Sequence, residues 1–464
     1  MIDYICSMSQ IVNDTRKGSI IETRINDLAF DGKSVGEVGG KITFFDGGLP
    51  GEMVRAEIVK SKARYNFGRV IEIVEKSPDR IQAKCAHFGI CGGCTWQDLR
   101  YDKQLYFKKK QILDCLKHIG KIDNIDLKPV VGSDEQFYYR NKMEFSFNVT
   151  ENDGFVFGLH RRGYFDQIFD LQECWLESPL SNEIVVWFRE FVRTNKIPVY
   201  DVYSHEGFVR FLAIREAKKT GQVMLNIVTV DDKIPNVDEL CREACRRFPQ
   251  VASIVQNINN SKSNIARGES ERVLHGKGYI EEEILGFKFR IYANSFFQTN
   301  TLQTEKLYSL IYEILSPNKN DHLLDLYCGA GAIGICASKL VKDVVGVELE
   351  PSAIRAAKEN AELNKLENVH FLAGSVQEIL TDNTVLNNIT CAIIDPPRAG
   401  LHPKALKRLI EIKFPKMVYV SCNPASFARD AALLVQAGYK IGCMTPVDMF
   451  PHTMHIELVS GFYL

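Results

Sequence analysis

Two residues near the end of the chain have side chains suited to one covalent cycle. Cys422 lies in Tyr419-Val420-Ser421-Cys422-Asn423, and Glu457 ends the run Pro451-His452-Thr453-Met454-His455-Ile456-Glu457. A thiolate is a soft nucleophile that adds to an electron-poor ring carbon, and a carboxylate can afterwards take a proton from the neighbouring carbon. Carbon 5 of uracil needs both groups. It is too weak a nucleophile to attack a methyl sulfonium unaided, but a thiolate adding at carbon 6 turns the ring into an enolate. After methyl transfer, the carbon 5 proton must leave before the cysteine can depart. A lone Cys after an apolar strand is more often a packed core thiol, so the surrounding residues decide which kind Cys422 is.

That context is a set of strands ending in polar residues. The stretch 293–464 reads as a doubly wound α/β domain of Rossmann-like type. Leu323-Leu324-Asp325-Leu326 is a buried strand, and Tyr327-Cys328-Gly329-Ala330-Gly331-Ala332-Ile333-Gly334 is a glycine-rich turn into a helix, where small residues let the backbone approach a ligand. Glu348 ends the next strand, Val344-Val345-Gly346-Val347-Glu348, where a carboxylate can accept both hydroxyls of a ribose. Cys391-Ala392-Ile393-Ile394 predicts a further strand running into Asp395-Pro396-Pro397-Arg398-Ala399-Gly400.

Upstream, short alternating runs at Gly18-Ser19-Ile20-Ile21-Glu22, Lys41-Ile42-Thr43-Phe44-Phe45, Val54-Arg55-Ala56-Glu57-Ile58 and Arg69-Val70-Ile71-Glu72-Ile73 are broken by glycine turns and predict a small barrel over 13–77. Residues 101–118 predict a charged amphipathic helix ending near Gly120. From 129 to 292, strands near Phe145 and Leu225 alternate with helices around Trp187 and Leu240, as in an α+β domain. Cys85, Cys91 and Cys94 stand in Cys85-Ala86-His87-Phe88-Gly89-Ile90-Cys91-Gly92-Gly93-Cys94, a spacing that suits an iron–sulfur or a zinc centre better than a core. Cys115, Cys241 and Cys245 lie in helical patterns and read as packing.

The chain has 464 residues, 45% of them hydrophobic, so two or three domains are expected. The formal net charge is only −1. A nucleic-acid partner would therefore be held by local patches, for which Lys60, Lys62, Arg64 and Arg69, the run Lys108-Lys109-Lys110, and Arg140, Lys142, Arg161 and Arg162 are candidates. Tyr139-Arg140-Asn141-Lys142 is the candidate for phosphate contact. No targeting or membrane segment is evident, so a cytoplasmic location is expected, and there the 13 cysteines would be ligands, catalytic thiols or core residues rather than disulfides.

Together, the Asp395-to-Gly400 run, Met417-Val418-Tyr419-Val420-Ser421-Cys422-Asn423-Pro424 and the segment 447–457 resemble the two signature segments of the S-adenosylmethionine-dependent RNA (uracil-C5)-methyltransferases, a resemblance that extends over nearly the whole chain. It implies that Cys422 is the nucleophile and Glu457 the general base. Gln298, Tyr327, Glu348 and Asp395 would bind S-adenosylmethionine, with Phe296 stacking on a flipped uridine. Gly374-Ser375 departs from the family pattern, which often has an acidic residue against the adenine there. The first module resembles the TRAM domain, an OB-like RNA-binding barrel. The cysteine segment resembles that of members carrying a 4Fe–4S cluster on Cys85, Cys91, Cys94 and Cys174. The implied division is 13–77 for the barrel, 78–95 and 129–292 for the iron–sulfur domain, and 96–128 and 293–464 for the catalytic domain. The expected activity is methylation of a specific uridine in 23S ribosomal RNA by a monomer. Transfer RNA is the alternative substrate, and cytosine-C5 methylation of RNA is a more distant one.

Overall fold

Inward-pointing small and branched residues close the first module. The computed structural model describes residues 15–464 apart from 124 and 151–153; Asn13 and Asp14, the expected first residues of the barrel, lie outside the described residues. Strands β1 (Ile20–Leu28), β2 (Ser34–Val38), β3 (Lys41–Asp46), β4 (Met53–Ser61) and β5 (Tyr65–Glu75) form a closed barrel in the order β1-β2-β3-β5-β4. Its core is Ile21, Ile25, Val38, Phe45, Val54, Ala56 and Ile58. Strand β2 is absent from the expected set because Ser34 and Gly36 occupy two of its three inward positions, which leaves almost no apolar alternation to read. Gly36 is needed there, since a Cβ would come within 2.8 Å of the Arg24 carbonyl. On the outside, Phe44, Tyr65 and Phe67 form an aromatic cluster with centroids 5.5–6.1 Å apart. Lys60, Lys62, Arg64 and Arg69 are all exposed on this module.

The chain divides into two compact units. The first holds the described residues through Lys84 with Cys94–Gln111 and His452–Met454; the second holds Cys85–Gly93, Ile112–Pro451 and His455–Leu464. In the first, Arg80 bridges the buried Glu52 and Asp98, and Leu28, Leu49, Trp96, Leu99 and Phe107 pack together. Helix α1 (Tyr101–Cys115) matches the expected span, but its last turn, Leu116–Gly120, is π-helical and stops at a left-handed Lys121. The basic run within it is not a surface patch. Lys108 is fully buried, and Lys110 pairs with Asp27.

In the second unit, β6 (Lys142–Thr150), β7 (Gly154–His160), β8 (Ile168–Asp170), β9 (Val209–Glu216), β10 (Val223–Thr229), β11 (Val251–Ile258) and β12 (Ser270–Gly276) make a seven-stranded sheet in the order β12-β11-β10-β9-β6-β7-β8. Helix α2 (Pro179–Thr194) starts at a Ser178 cap and lays Ile184, Phe188 and Phe191 inward; α3 (Val237–Arg247) buries Leu240 and Ala244 and leaves Cys241 and Cys245 half-buried. A hairpin of β13 (Tyr279–Ile284) and β14 (Phe287–Tyr292) follows. Its Ile280, Phe287 and Phe289 share a core with Met224 and Val255 of the sheet before it and Leu323 and Ile333 of the domain after it.

The last domain alternates α4 (Thr301–Leu315), β15 (His322–Leu326), α5 (Ala332–Ala337), β16 (Asp343–Glu348), α6 (Pro351–Leu363), β17 (Val369–Ala373), short α7 (Val376–Ile379) and α8 (Asn383–Leu386), β18 (Cys391–Ile394), α9 (Pro403–Ile412), β19 (Lys416–Ser421), α10 (Pro424–Gln436), β20 (Lys440–Val447) and β21 (Glu457–Tyr463). The sheet order is β17-β16-β15-β18-β19-β21-β20, parallel through β19, with β21 antiparallel to both its neighbours. The strands that end in Leu326, Glu348 and Ile394 and at Ser421 therefore finish on one edge, where open α/β sheets bind ligands.

Candidate active site

Strand register brings Cys422 and Glu457 together. Ser421 pairs with Leu458 across the antiparallel β19–β21 ladder, so the next positions outward on the two strands are Cys422 and Glu457. They are 35 positions apart in sequence, yet they face each other at the carboxyl edge of the sheet. Asp395 joins them because β18 runs parallel beside β19, with Ile394 in register with Tyr419.

The electrostatics of these groups are strained. Burial pushes the Cys422 thiol up to about 11, and the neighbouring Glu457 and Asp395 add to the rise, opposed by the Arg398 guanidinium. Burial raises Glu457 well above the usual carboxylate range, and Asp395 reinforces it; Asp395 itself is pushed up to about 7 by burial. A fourth acid, Asp325, rises to about 8 by burial, with Asp395 and Glu348 adding to the rise and the Gly334 N–H at 2.9 Å opposing it. One Asp325 oxygen is buried without a partner. Converging carboxyl groups of this kind favour a cationic ligand, because each loses less on ionising when a positive charge lies among them. Asp325 is absent from the expected set, although it stands in the quoted strand beside the glycine turn.

The turn after β15 is shaped for close approach. Tyr327 is held in the left-handed region at φ 65°, and burial pushes its hydroxyl up to about 12. Gly331, at φ 80°, has no room for a side chain: a Cβ would meet the Phe371 ring at 2.5 Å. Glu348 accepts the Gly329 N–H at 3.2 Å and the Glu350 N–H at 3.0 Å, which fixes the carboxylate at the end of β16. Gln298 lies just before α4, and its carbonyl accepts the Asn141 amide at 2.9 Å. Phe296, two residues earlier, is 72% exposed, whereas Phe297 is buried against Phe289. At the end of β17, Ser375 carries a buried hydroxyl with no partner, at the position where the resemblance leads one to expect a carboxylate.

The loop from Asp395 to Leu401 is tied to α10. The Asn423 amide and the Ser426 hydroxyl donate to the Arg398 carbonyl at 3.0 and 3.2 Å, and Asp430 accepts the Leu401 N–H at 2.8 Å while the Tyr419 hydroxyl donates to it. Asn423 also caps α10 by accepting the Ala425 N–H. The residue after the nucleophile thus fixes both its own helix and the Arg398 loop. Sequence reasoning passed over Arg398, whose role is visible only once that loop is folded back on Cys422.

The metal-ligand candidates are less gathered. Cys85, Cys91 and Cys174 belong to the larger unit, and Cys94 to the barrel unit. Burial raises Cys91, with Cys85 beside it adding to the rise; Cys174 is pushed up to about 12 by burial and by Glu177. None of the four is in a disulfide, and the Gly93 N–H donates to the Cys91 sulfur at 3.3 Å. Among the described residues no group of three or more Cys, His, Asp or Glu side chains is placed to hold a metal ion. Two of the residues expected to contact phosphate are structural instead. The Tyr139 hydroxyl is buried and donates to the Pro451 carbonyl, and Asn141 is buried with its amide on Gln298 and Thr301; Arg140 and Lys142 remain partly accessible.

Residues 100–464 match the tRNA (Uracil-5-)-methyltransferase family, and residues 14–71 match the TRAM domain. The chain belongs to this methyltransferase family. An uncharacterized RNA methyltransferase of Caldanaerobacter subterraneus subsp. tengcongensis is 38% identical over 448 residues, covering 96% of this chain and 98% of its own. Another, from Halalkalibacterium halodurans, is 37% identical, covering 98% and 99%. The crystal structure of the Pyrococcus abyssi tRNA (uracil-54, C5)-methyltransferase in complex with S-adenosyl-L-homocysteine is similar with a TM-score of 0.76 and 32% identity, covering 95% of this chain and all of that one. The chain is an S-adenosylmethionine-dependent RNA methyltransferase with an N-terminal TRAM barrel. None of the helices described in this methyltransferase is long and apolar enough to cross a membrane.

Proposed function

We propose that this methyltransferase transfers the methyl group of S-adenosylmethionine to carbon 5 of a uridine in 23S ribosomal RNA. The observation that carries the uracil-C5 chemistry is the pairing of Cys422 with Glu457 across the β19–β21 register, with Asp395 beside both. Cys422 adds to carbon 6, the carbon 5 enolate attacks the methyl sulfonium, and Glu457 takes the carbon 5 proton as the cysteine leaves. The raised pKa of Glu457 suits a carboxylate that must hold that proton near neutral pH. Arg398 faces the thiol and favours its ionised form. Gln298, Tyr327, Glu348 and Asp395 hold the cofactor, and Phe296, exposed just ahead of Gln298, stacks on the extruded base.

The barrel would supply affinity rather than chemistry. Its Phe44, Tyr65 and Phe67 cluster, with exposed Lys60, Lys62 and Arg64, suits a single-stranded segment of RNA. Cys85, Cys91, Cys94 and Cys174 are the proposed ligands of a 4Fe–4S cluster. Their chemistry fits, since four cysteines outside any disulfide can supply the thiolates, but the gathering a single ion would need is lacking among the described residues. No step of the reaction is routed through the cluster. The proposed domain division is that of the resemblance, with the enzyme acting as a cytoplasmic monomer.

A second substrate reading is transfer RNA. The Pyrococcus abyssi enzyme, which methylates transfer RNA, aligns over 95% of this chain. An N-terminal barrel is therefore no discriminator by itself, and the ribosomal reading leans on the cysteine segment. Mapping 5-methyluridine in ribosomal and transfer RNA from a strain lacking the gene separates the two. Loss of one ribosomal site supports the first reading; loss confined to transfer RNA replaces it.

A further inference from the structure

The central sheet carries a pocket of about 430 Å³ that the methyl-transfer chemistry does not use. Its size falls in the range of sites for small organic ligands. Lys142 and Glu144 of β6, His160 of β7, Phe211 of β9, Asn264 and Arg267 are among its lining residues, and Asn294, also on the lining, donates to Glu271 at 2.8 Å. Two links connect it to the elements that carry the reaction crevice. Asn294 is four residues ahead of Gln298, and the Arg267 guanidinium lies 3.8 Å from Glu350, two residues beyond Glu348.

Its β6–β9 wall is net cationic. Lys142 pairs directly with Arg215 across the β6–β9 ladder, and like charges opposite one another destabilise a sheet. Arg215 is almost fully buried; its guanidinium donates to the carbonyls of Ala293 and Ser295, and its Nε has no partner. Glu144, which accepts from Lys142 at 2.6 Å, is the carboxylate that faces both cations. On this wall two cations stand against one acid, whereas on the loop side Arg267 is offset by Glu350 and Glu271, so a phosphate would be drawn to the Lys142 side.

The loop on the open side is built in advance. Arg210, buried and stacked on Tyr200, donates to the carbonyls of Asn259, Ser261 and Ser263 at 2.6–2.8 Å. The Asn259 amide donates to the Ile265 carbonyl at 3.0 Å, and Asn257 accepts the Gly268 N–H at 2.7 Å. Three buried polar side chains thus fix the backbone that presents Asn264 and Arg267 to solvent, which cuts the ordering cost of binding.

We infer that this pocket seats a nucleotide of the substrate RNA next to the target uridine, with its phosphate drawn to Lys142, its base resting on Phe211 and its base edge met by Asn264. The inference rests on the proposed uridine chemistry for what lies beside it. A macromolecule threaded past Phe296 into the crevice must continue on one side or the other, and this pocket is a preformed space on one of those sides.

The test uses the full-length enzyme and the unmodified transcript that it methylates. Asn264→Ala and Arg267→Ala sit on an exposed loop and should fold normally. Together they should raise the Kd for RNA by about tenfold, with kcat at saturating RNA and affinity for S-adenosylhomocysteine unchanged. Lys142→Gln should lower the slope of log Kd against log salt by about one. An abasic residue at the flanking position should weaken RNA binding to the wild type and have little further effect on the double variant. Unchanged RNA affinity in all variants overturns the inference, as does a loss that falls on S-adenosylhomocysteine instead, which would assign the pocket to the cofactor. Covalent trapping by 5-fluorouridine RNA reports separately on Cys422. If the wild type fails to trap, the proposed chemistry falls, while the RNA Kd still decides the pocket.

Discussion

Cys422 and Cys174 are both thiols pushed up by burial beside a glutamate, yet their surroundings differ. Cys422 ends a parallel strand at an edge where Glu457, Asp395 and Arg398 converge. Cys174 is buried deeper, next to Glu177, and its amide N–H donates to Asn182 at 2.7 Å. At the sheet edge, residues far apart in sequence are assembled by strand register. In the cysteine segment, residues close in sequence declare a purpose by spacing alone. Spacing nominates ligands, whereas a reaction centre is made by which strands are neighbours.

The largest effect expected is at the nucleophile. Cys422→Ala should lower turnover by at least about ten-thousandfold, because no other group can activate carbon 6. Affinity for S-adenosylhomocysteine by calorimetry should stay near the wild-type value. Substantial methylation by this variant would reduce Cys422 to the same standing as a buried core thiol.

Next comes Glu457→Gln, which keeps the shape but cannot accept the carbon 5 proton. Product release should slow by at least about 100-fold, and a methylated protein–RNA adduct should build up on denaturing gels. Normal turnover without adduct would shift the base to Asp395 or His455.

The other side of the comparison is tested by metal analysis. Anaerobically purified protein should be brown, with iron and sulfide, and Cys91→Ser should bleach it. Stoichiometric zinc without iron would replace the cluster with a structural zinc site.

A smaller effect concerns pH. Burial pushes Asp395 up to about 7 and Asp325 up to about 8, so both should be substantially protonated below neutrality. A cationic cofactor prefers them ionised. Affinity for S-adenosylmethionine should therefore rise several-fold between about pH 6 and 9, and Asp325→Asn should flatten much of that rise. A flat profile in the wild type would mean that the acids do not face the cofactor.

Much of the crevice was legible in the sequence. The strands at Leu323, Val344 and Cys391, the glycine turn and the run before Cys422 all occur where apolar runs end in polar residues, and a doubly wound sheet puts such ends on one edge. What could not be read is the antiparallel β21, whose pairing with β19 sets Cys422 against Glu457. Nor could Arg398 or Asp325 be ranked, since their importance depends on a loop folding back and on a desolvated oxygen. The barrel was legible except for β2, where Ser34 and Gly36 replace apolar residues. The basic patches misled at Lys108, Tyr139 and Asn141, because charge or polarity in sequence does not reveal whether a side chain is consumed by the fold. The spacing of Cys85, Cys91 and Cys94 marks candidate ligands, but a fourth partner and the gathering of all of them are tertiary properties.

The measurement closest to the central claim is peptide mass spectrometry of the wild-type enzyme after incubation with S-adenosylmethionine and 5-fluorouridine-substituted RNA. Fluorine cannot leave as a proton, so the cycle should stop after methyl transfer. The account predicts one cross-linked peptide, joined through Cys422 and carrying both the nucleotide and the transferred methyl group. A cross-link at any other cysteine, or full methylation of the unsubstituted RNA with no adduct formed by the fluorinated one, would contradict it.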